Sequence, residues 1–252
     1  MKRAGSADGV AVEVLEGAAL AVRAAALIAS TLNQVIHERG LAVFVPSAGR
    51  TATPAYKILR TVYGYAVDWQ RVHIVQMDEY AGLGATDPLS FAFYLSREFV
   101  TPLRIGLFTH FNNERGDLMR PLDAYEGAFG NIDLVVHGIG RNGHIGFNEP
   151  GSPADSDCRQ VVLARSTLCA NFPGEPERRR FRNGLTLGLR QLRAARNSLL
   201  VATGVEKAAA IERACRAPAS VQCPASILRS CANVTVLTDP AAAGEVVIAA
   251  SA

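Results

Sequence analysis

Between residues 142 and 149 the chain reads N-G-H-I-G-F-N-E, which sets one imidazole, His144, five residues before one carboxylate, Glu149. Proton transfer near neutral pH needs a titratable base and a group that holds it in one orientation, and this pair has that composition. Asn142 offers the ring a second hydrogen-bond partner. A histidine that caps a turn would fit the same letters, since not every loop histidine takes part in chemistry. Gly138, Gly140, Gly143 and Gly146 run through the segment and permit tight turns, but their spacing does not match the dinucleotide-binding fingerprint.

Three other places carry residues with chemical potential. Asp78 and Glu79 are adjacent carboxylates that follow an apolar run. They would repel in a low dielectric, so one of them is expected to have a purpose or a partner, with helix capping as the alternative. Residues 46–54, P-S-A-G-R-T-A-T-P, pass from an apolar stretch into a helical pattern through small and hydroxyl residues. That order suits phosphate, because unpaired N–H groups and the positive end of the helix dipole face the ligand, although an ordinary capped helix reads the same way. Lys207 lies at a predicted helix start, where a cation opposes the dipole by roughly 0.3–1 kcal/mol and a bound anion would relieve it.

The elements that must position these groups follow from apolar periodicity. Leu41–Val45, Val72–Gln76, Ile132–Ile139 and Ser198–Ala202 are short runs rich in β-branched residues, read as buried strands, and each hands over at once to polar or glycine-rich residues. Val234–Leu237 reads as a further strand and Gly106–His110 as another candidate; the rest of 95–123 is assigned to helix ends and connections. Residues 10–39 read as one or two amphipathic helices stopped by Gly40. Strands alternating with helices form a parallel sheet by right-handed crossovers, so their carboxyl ends share one edge. The expected fold is a doubly wound, mostly parallel α/β sheet with helices on both faces, Rossmann-like, formed by residues 1–252 as one domain. Residues 152–184, with prolines, arginines and few apolar positions, read as a surface excursion or a lid over the site.

Composition narrows the function classes. At 252 residues with 49% hydrophobic and 19% charged content, the chain can bury a sizeable core and is not disordered. A formal charge of +3 without a basic stripe argues against nucleic acid, and the arginines at 178–182 read as a solvated loop. Five cysteines without a C-x-x-C pair disfavour both a disulfide framework and a zinc site. Charged residues interrupt the alanine-rich start, which is too polar to span a membrane or serve as a signal peptide, so a cytoplasmic protein is expected. Monomer and homo-oligomer both remain open.

The stretch GIGRNGHIGFNEPGS resembles the signature of the glucosamine-6-phosphate deaminase family, in which D-G-H is followed by N-E-P. His144 and Glu149 match residue by residue. Asn142 stands where the glucosamine enzymes carry aspartate, and N-G-H is similar to the branch that acts on galactosamine 6-phosphate. Residues 46–54 resemble the family's T-G-G-T-P or T-G-R-T-P phosphate loop: Gly49, Arg50 and Thr51 match, Ala48 and Ala52 depart from it, and Ser47 is expected to supply the missing hydroxyl. MDEYAGLGATDPLSF resembles M-D-E-Y-x-G-L followed by D-x-x-S-[YF], with Asp87, Ser90 and Phe91 in register. Thr186, Gly188 and the P-A-S-I-L of 224–228 extend the likeness over nearly the whole chain.

The resemblance implies roles. Gly49, Arg50, Thr51 and Lys207 would hold the phosphate of a small sugar; His144, oriented by Glu149 with Asn142 beside it, would open the pyranose; Asp78 would carry a proton from C2 to C1. Water would then release ammonia and leave a ketohexose 6-phosphate. No metal or organic cofactor is implied. The family's lid carries a substrate-binding arginine, for which Arg165, Arg178 and Arg180 are the candidates. Two other readings compete: a 6-phosphogluconolactonase, whose related loop lacks the N-E-P continuation, and a non-catalytic sugar-phosphate sensor, which would not need Asp78 and His144 together.

Overall fold

The computed structural model describes residues 2–4, 10–111, 130–172, 174 and 181–244. The main sheet is built from β1 (Lys2–Ala4), β2 (Val10–Val14), β3 (Ala42–Val45), β4 (Val72–Val75), β6 (Leu107–Thr109), β7 (Leu134–His137), β10 (Asn197–Ala202) and β11 (Val234–Thr238). A second, three-stranded sheet holds β5 (Asp78–Tyr80), β8 (Arg159–Val162) and β9 (Asn183–Thr186). The eight strands lie in the order β1-β2-β11-β10-β7-β3-β4-β6. Every neighbouring pair is parallel except β1 with β2.

Strands that alternate apolar side chains to both faces need cover on both, and the core divides accordingly. Val43, Val45, Val135, Leu200 and Val236 face one cluster, closed by Leu189, Leu192, Ala210 and Ile211 from following helices. Phe44, Leu134, Val136, Leu199 and Val201 face the other, closed by α1 (Ala18–Arg39) and α2 (Thr53–Val62). The doubly wound, mostly parallel arrangement expected from the sequence is the one found.

One local reading is corrected. Residues 10–14 are strand rather than helix: V-A-V-E-V alternates with period two, its Val10 and Val12 are buried, and it pairs in parallel with β11. Glu13 on this strand is buried and takes two 2.7 Å bonds from Arg23 of α1, which fastens strand to helix. The described part of residues 152–184, read as a surface excursion or a lid, packs into the fold. Their β8 and β9 pair antiparallel with β5, and Leu163, Leu168, Phe172 and Phe181 form a third buried cluster with Tyr80, Leu83 and Phe147.

By length, 22 residues, and apolar content, α1 could cross a bilayer, yet half of its apolar stretch is buried inside the fold. Ile28 and Leu32 are wholly inaccessible, and burial of each contributes about 1.5–3 kcal/mol.

β3 leads one way to β4 and β6, and the chain then returns to the other side of β3 for β7, β10 and β11. The strand order therefore reverses between β3 and β7. In open α/β sheets such a reversal opens a crevice at the carboxyl ends of the two strands.

Candidate active site

Both sides of that crevice carry residues singled out above. From β7 the chain enters the loop of residues 138–149, closed by Gly140 N–H to the His144 carbonyl at 3.0 Å and Gly143 N–H to the Gly140 carbonyl at 2.9 Å. A Cβ on Gly140 would lie 2.2 Å from Cε1 and Nδ1 of His144, so the imidazole occupies the space that glycine leaves. Gly146, at φ 54°, takes a left-handed turn that brings the chain against Met77 and Thr186.

The hydrogen bonds of Asn142 fix the protonation of His144. The backbone N–H of His144 donates to Asn142 at 3.2 Å, so the atom facing it is the carbonyl Oδ1. The same Oδ1 lies 2.8 Å from His144 Nδ1, and two acceptors cannot share a contact of that length, so Nδ1 carries the proton. Nε2 is then the basic nitrogen, with no partner among the described residues. The amide's other end donates from Nδ2 to Glu149 Oε2 at 2.8 Å. Glu149 Oε2 is itself 3.5 Å from Nδ1, and Glu149 Oε1 accepts from the Ala164 N–H at 3.2 Å. Burial pushes the Glu149 carboxyl up, but hydrogen bonding and charge from His144, with bonds from Thr167 and Asn142, outweigh it and hold the group down at about 2.

β4 delivers the two carboxylates to different duties. Glu79 accepts from the N–H groups of Tyr80, Phe91 and Ala92 at 2.9, 3.1 and 3.0 Å, from Ser90 Oγ at 2.7 Å and from Gln76 Nε2 at 2.8 Å. It thus serves as the anion at the start of α3 (Phe91–Leu95), while Asp87 closes the preceding turn through the Leu89 N–H at 2.9 Å. Of the two capping alternatives, Glu79 fits and Asp78 does not. Asp78 is a strand residue, 8% exposed, and points to the opposite face of β5 from Glu79. Burial, reinforced by the charge of Glu79, pushes its carboxyl up to about 8.

Asp78 is the register partner of Thr186 across β5 and β9, so their side chains share a face. Thr186 Oγ1 accepts from the Phe147 N–H at 3.2 Å. The Asp78 carboxyl therefore lies on the face of the small sheet that meets the His144–Glu149 loop.

β3 ends in the residues read as a phosphate loop. Gly49 and Arg50 are exposed and Thr51 half-buried at the entrance to α2, where Pro54 carries no N–H and the Thr53 N–H donates to the Arg50 carbonyl at 3.3 Å, so the turn itself is the part left to meet an anion. Ser47 does not present its hydroxyl at the surface of this turn; it is buried beneath it, 3.5 Å from the Tyr56 hydroxyl. From the turn that follows β10, Lys207 reaches across to the loop after β7 and donates from Nζ to the Ile139 carbonyl at 2.7 Å. That bond gives the lysine a partner without an anion, and leaves two of its three protons to donate. Burial lowers the Lys207 pKa.

The structure thus gathers Asp78, Asn142, His144, Glu149, Lys207 and the 49–51 turn on the carboxyl edge of one sheet. Among the arginine candidates of the lid, Arg165 is exposed at the start of the helix Arg165–Asn171, and Arg178 and Arg180 lie outside the described residues. Two contributors had no sequence signal of their own. Thr167, 2% exposed on that helix, places Oγ1 3.2 Å from His144 Nδ1. Arg159 on β8 bonds Asn148 Oδ1 at 2.8 Å and Ser152 Oγ at 2.9 Å, and so clamps the residues on either side of Glu149. Among the described residues no cluster of three His, Cys, Asp or Glu side chains is placed to hold a metal ion.

Comparison with known proteins agrees with this geometry. Residues 16–237 match the family model described as glucosamine-6-phosphate isomerases/6-phosphogluconolactonase. The chain is 36% identical to a glucosamine-6-phosphate deaminase of Streptomyces avermitilis over 88% of each protein, and 35% identical to that of Streptomyces coelicolor over 88% of each. A solved monomeric glucosamine-6-phosphate deaminase superposes with a TM-score of 0.83 at 32% identity, covering 92% of this chain and 98% of its own. A 6-phosphogluconolactonase from Shewanella baltica superposes with a TM-score of 0.74 over 93% of this chain and 99% of its own, at an 18% identity that speaks for the fold alone. By the extent of these matches, the chain belongs to the family of glucosamine-6-phosphate isomerases and 6-phosphogluconolactonases.

Proposed function

We propose that this protein is an isomerising deaminase of an amino-sugar 6-phosphate, converting it with water to a ketohexose 6-phosphate and ammonia. The observation that carries the reading is the pairing of an imidazole whose Nδ1 proton is held by Asn142 with a buried carboxyl at about 8 on one sheet edge. Isomerisation of a cyclic aldose needs two proton carriers, one for ring opening and one for the shift between neighbouring carbons, whereas lactone hydrolysis needs a single base. The 36% identity to a glucosamine-6-phosphate deaminase supports the same class.

The phosphate binds at Gly49, Arg50 and Thr51 with Lys207, which fixes the substrate by its far end. His144, through Nε2, moves a proton between the anomeric hydroxyl and the ring oxygen. Ionised Asp78 removes the C2 proton and returns it at C1, and the resulting C2 imine adds water and expels ammonia. A base whose conjugate acid titrates at about 8 is well matched to a weakly acidic carbon-bound proton near neutral pH. Glu149, held at about 2, stays ionised throughout and steadies the imidazolium through Asn142.

Asn142 suggests the galacto sugar, since a neutral amide leaves the loop with one negative charge where the D-G-H enzymes carry two. Ammonium release measured side by side on galactosamine 6-phosphate and glucosamine 6-phosphate tests both levels. Turnover of the galacto epimer in preference to the gluco epimer, reversed or narrowed in Asn142→Asp, is expected. Preference for glucosamine 6-phosphate by both proteins would overturn the choice of sugar, and opening of 6-phosphogluconolactone without ammonium from either amino sugar would overturn the class.

A further inference from the structure

The helix Arg165–Asn171 touches both halves of the proposed proton machinery. At its start, the Ala164 N–H donates to Glu149 Oε1 at 3.2 Å, and Thr167 Oγ1 lies 3.2 Å from His144 Nδ1. Thr167 also hydrogen-bonds Glu149. At its end, Asn171 Nδ2 donates to the Tyr80 hydroxyl at 2.7 Å. Tyr80 is two residues beyond Asp78 on β5, and its ring is packed among Phe91, Phe147, Phe172 and Phe181 at centroid distances of 5.0–5.1 Å. One short helix therefore spans the gap between the strand that carries Asp78 and the loop that carries His144.

Nδ1 carries the proton, because its 2.8 Å neighbour Asn142 Oδ1 can only accept. The Thr167 oxygen is then a second acceptor for the same N–H, and its own hydrogen is free to point at Glu149. With that hydrogen turned to Glu149, the hydroxyl presents a lone pair to Nδ1 and adds to the penalty that Asn142 Oδ1 already sets on the other tautomer. Its position depends in turn on the helix, which Asn171 pins to β5.

We infer that Thr167 is a positioning residue for the proposed reaction. Its hydroxyl joins Asn142 in holding His144 in the tautomer whose Nε2 is basic, and the helix that carries it ties this lock, through Asn171 and Tyr80, to the strand of Asp78. The inference deepens the deaminase reading and rests on it for the consequence in turnover, though not for the tautomer.

Thr167→Val keeps the shape of the side chain and removes the hydroxyl, while Thr167→Ser keeps the hydroxyl. A neutral hydrogen bond contributes ~0.5–1.5 kcal/mol, so Thr167→Val should lose about 3- to 10-fold in kcat with KM nearly unchanged, and Thr167→Ser should recover most of it. Nitrogen-15 NMR of the histidine rings, with His144 assigned by its loss in His144→Gln, reads the lock without substrate. Wild type and Thr167→Ser should show protonated Nδ1 and bare Nε2, and Thr167→Val a measurable shift of proton occupancy from Nδ1 toward Nε2. An unchanged pattern in Thr167→Val, or unchanged kcat in a protein that does release ammonium, would overturn the inference. Absence of ammonium from wild type with the expected NMR pattern would sink the deaminase reading and leave the tautomer lock standing.

Discussion

Asp78→Asn should make the protein more stable as well as inactive, and only above acidic pH. Burial and the neighbouring Glu79 charge hold the Asp78 carboxyl at about 8 against an ordinary 3.8. A folded-state pKa raised above the unfolded value means that the fold binds more protons than the unfolded chain between those two pH values, so stability falls as pH rises through them. Each tenfold in proton affinity is ~1.4 kcal/mol, and the span from 3.8 to about 8 amounts to roughly 5–6 kcal/mol lost once Asp78 is ionised in the fold. Asparagine has nearly the same shape and never ionises, so it escapes this loss.

For a chain of this size ~1 kcal/mol moves the melting temperature by about 2–4 °C, so Asp78→Asn should melt on the order of 10 °C or more above wild type at alkaline pH. The two proteins should melt together where Asp78 is protonated in both states, below its ordinary pKa of 3.8. Calorimetry or fluorescence melting across a pH series checks this. A gain that does not grow with pH, or equal melting at alkaline pH, would refute a buried, high-pKa base. In wild type the same group predicts that kcat/KM rises with pH and levels off above about 8, as the free enzyme loses the Asp78 proton.

Gly140→Ala forces a Cβ to within 2.2 Å of the His144 ring; overpacking of this kind costs about 1–3 kcal/mol, and ammonium release should fall to background while the protein still folds by circular dichroism. Asn142→Asp replaces the donor 2.8 Å from Glu149 Oε2 with a second carboxylate oxygen, so the two acids raise each other's pKa. The Glu149 carboxyl then rises from about 2, which a carbon-13 NMR titration of its carboxyl reads directly, while the limb near 8 set by Asp78 stays in place. Lys207→Met removes the cation beside the proposed phosphate; a hydrogen bond to a charged group contributes ~1.5–3 kcal/mol, so KM should rise about 10- to 150-fold with a smaller change in kcat. Equal KM in Lys207→Met and wild type would put the phosphate elsewhere.

The strands of the main sheet could be read in the sequence because burial on both faces demands uninterrupted apolar runs, and four of those runs end in the residues that now line the crevice. β2 was harder to see, since its five residues adjoin a long alanine-rich helix whose pattern swallowed them. The small sheet was harder still. β5 and β9 have three and four residues, β5 includes two carboxylates, and strands so short and polar carry no periodicity. The division of labour between Asp78 and Glu79 became visible only with α3 in place, because the donors from residues 90–92 reach Glu79 across eleven to thirteen positions of chain. Thr167 meets His144 across 23 positions, and nothing local marks it.

The reversal of strand order between β3 and β7 also gives the molecule a working end and a blank end. Gly40 and Leu41 ahead of β3, Arg193 and Ala194 ahead of β10, and Ala232 and Asn233 ahead of β11 are all exposed at the amino edge of the sheet, a strand's length from the crevice. An affinity tag, a surface tether or a fused domain spliced into those turns should leave the chemistry untouched, so the fold offers a handle for immobilising the protein with its crevice facing solution.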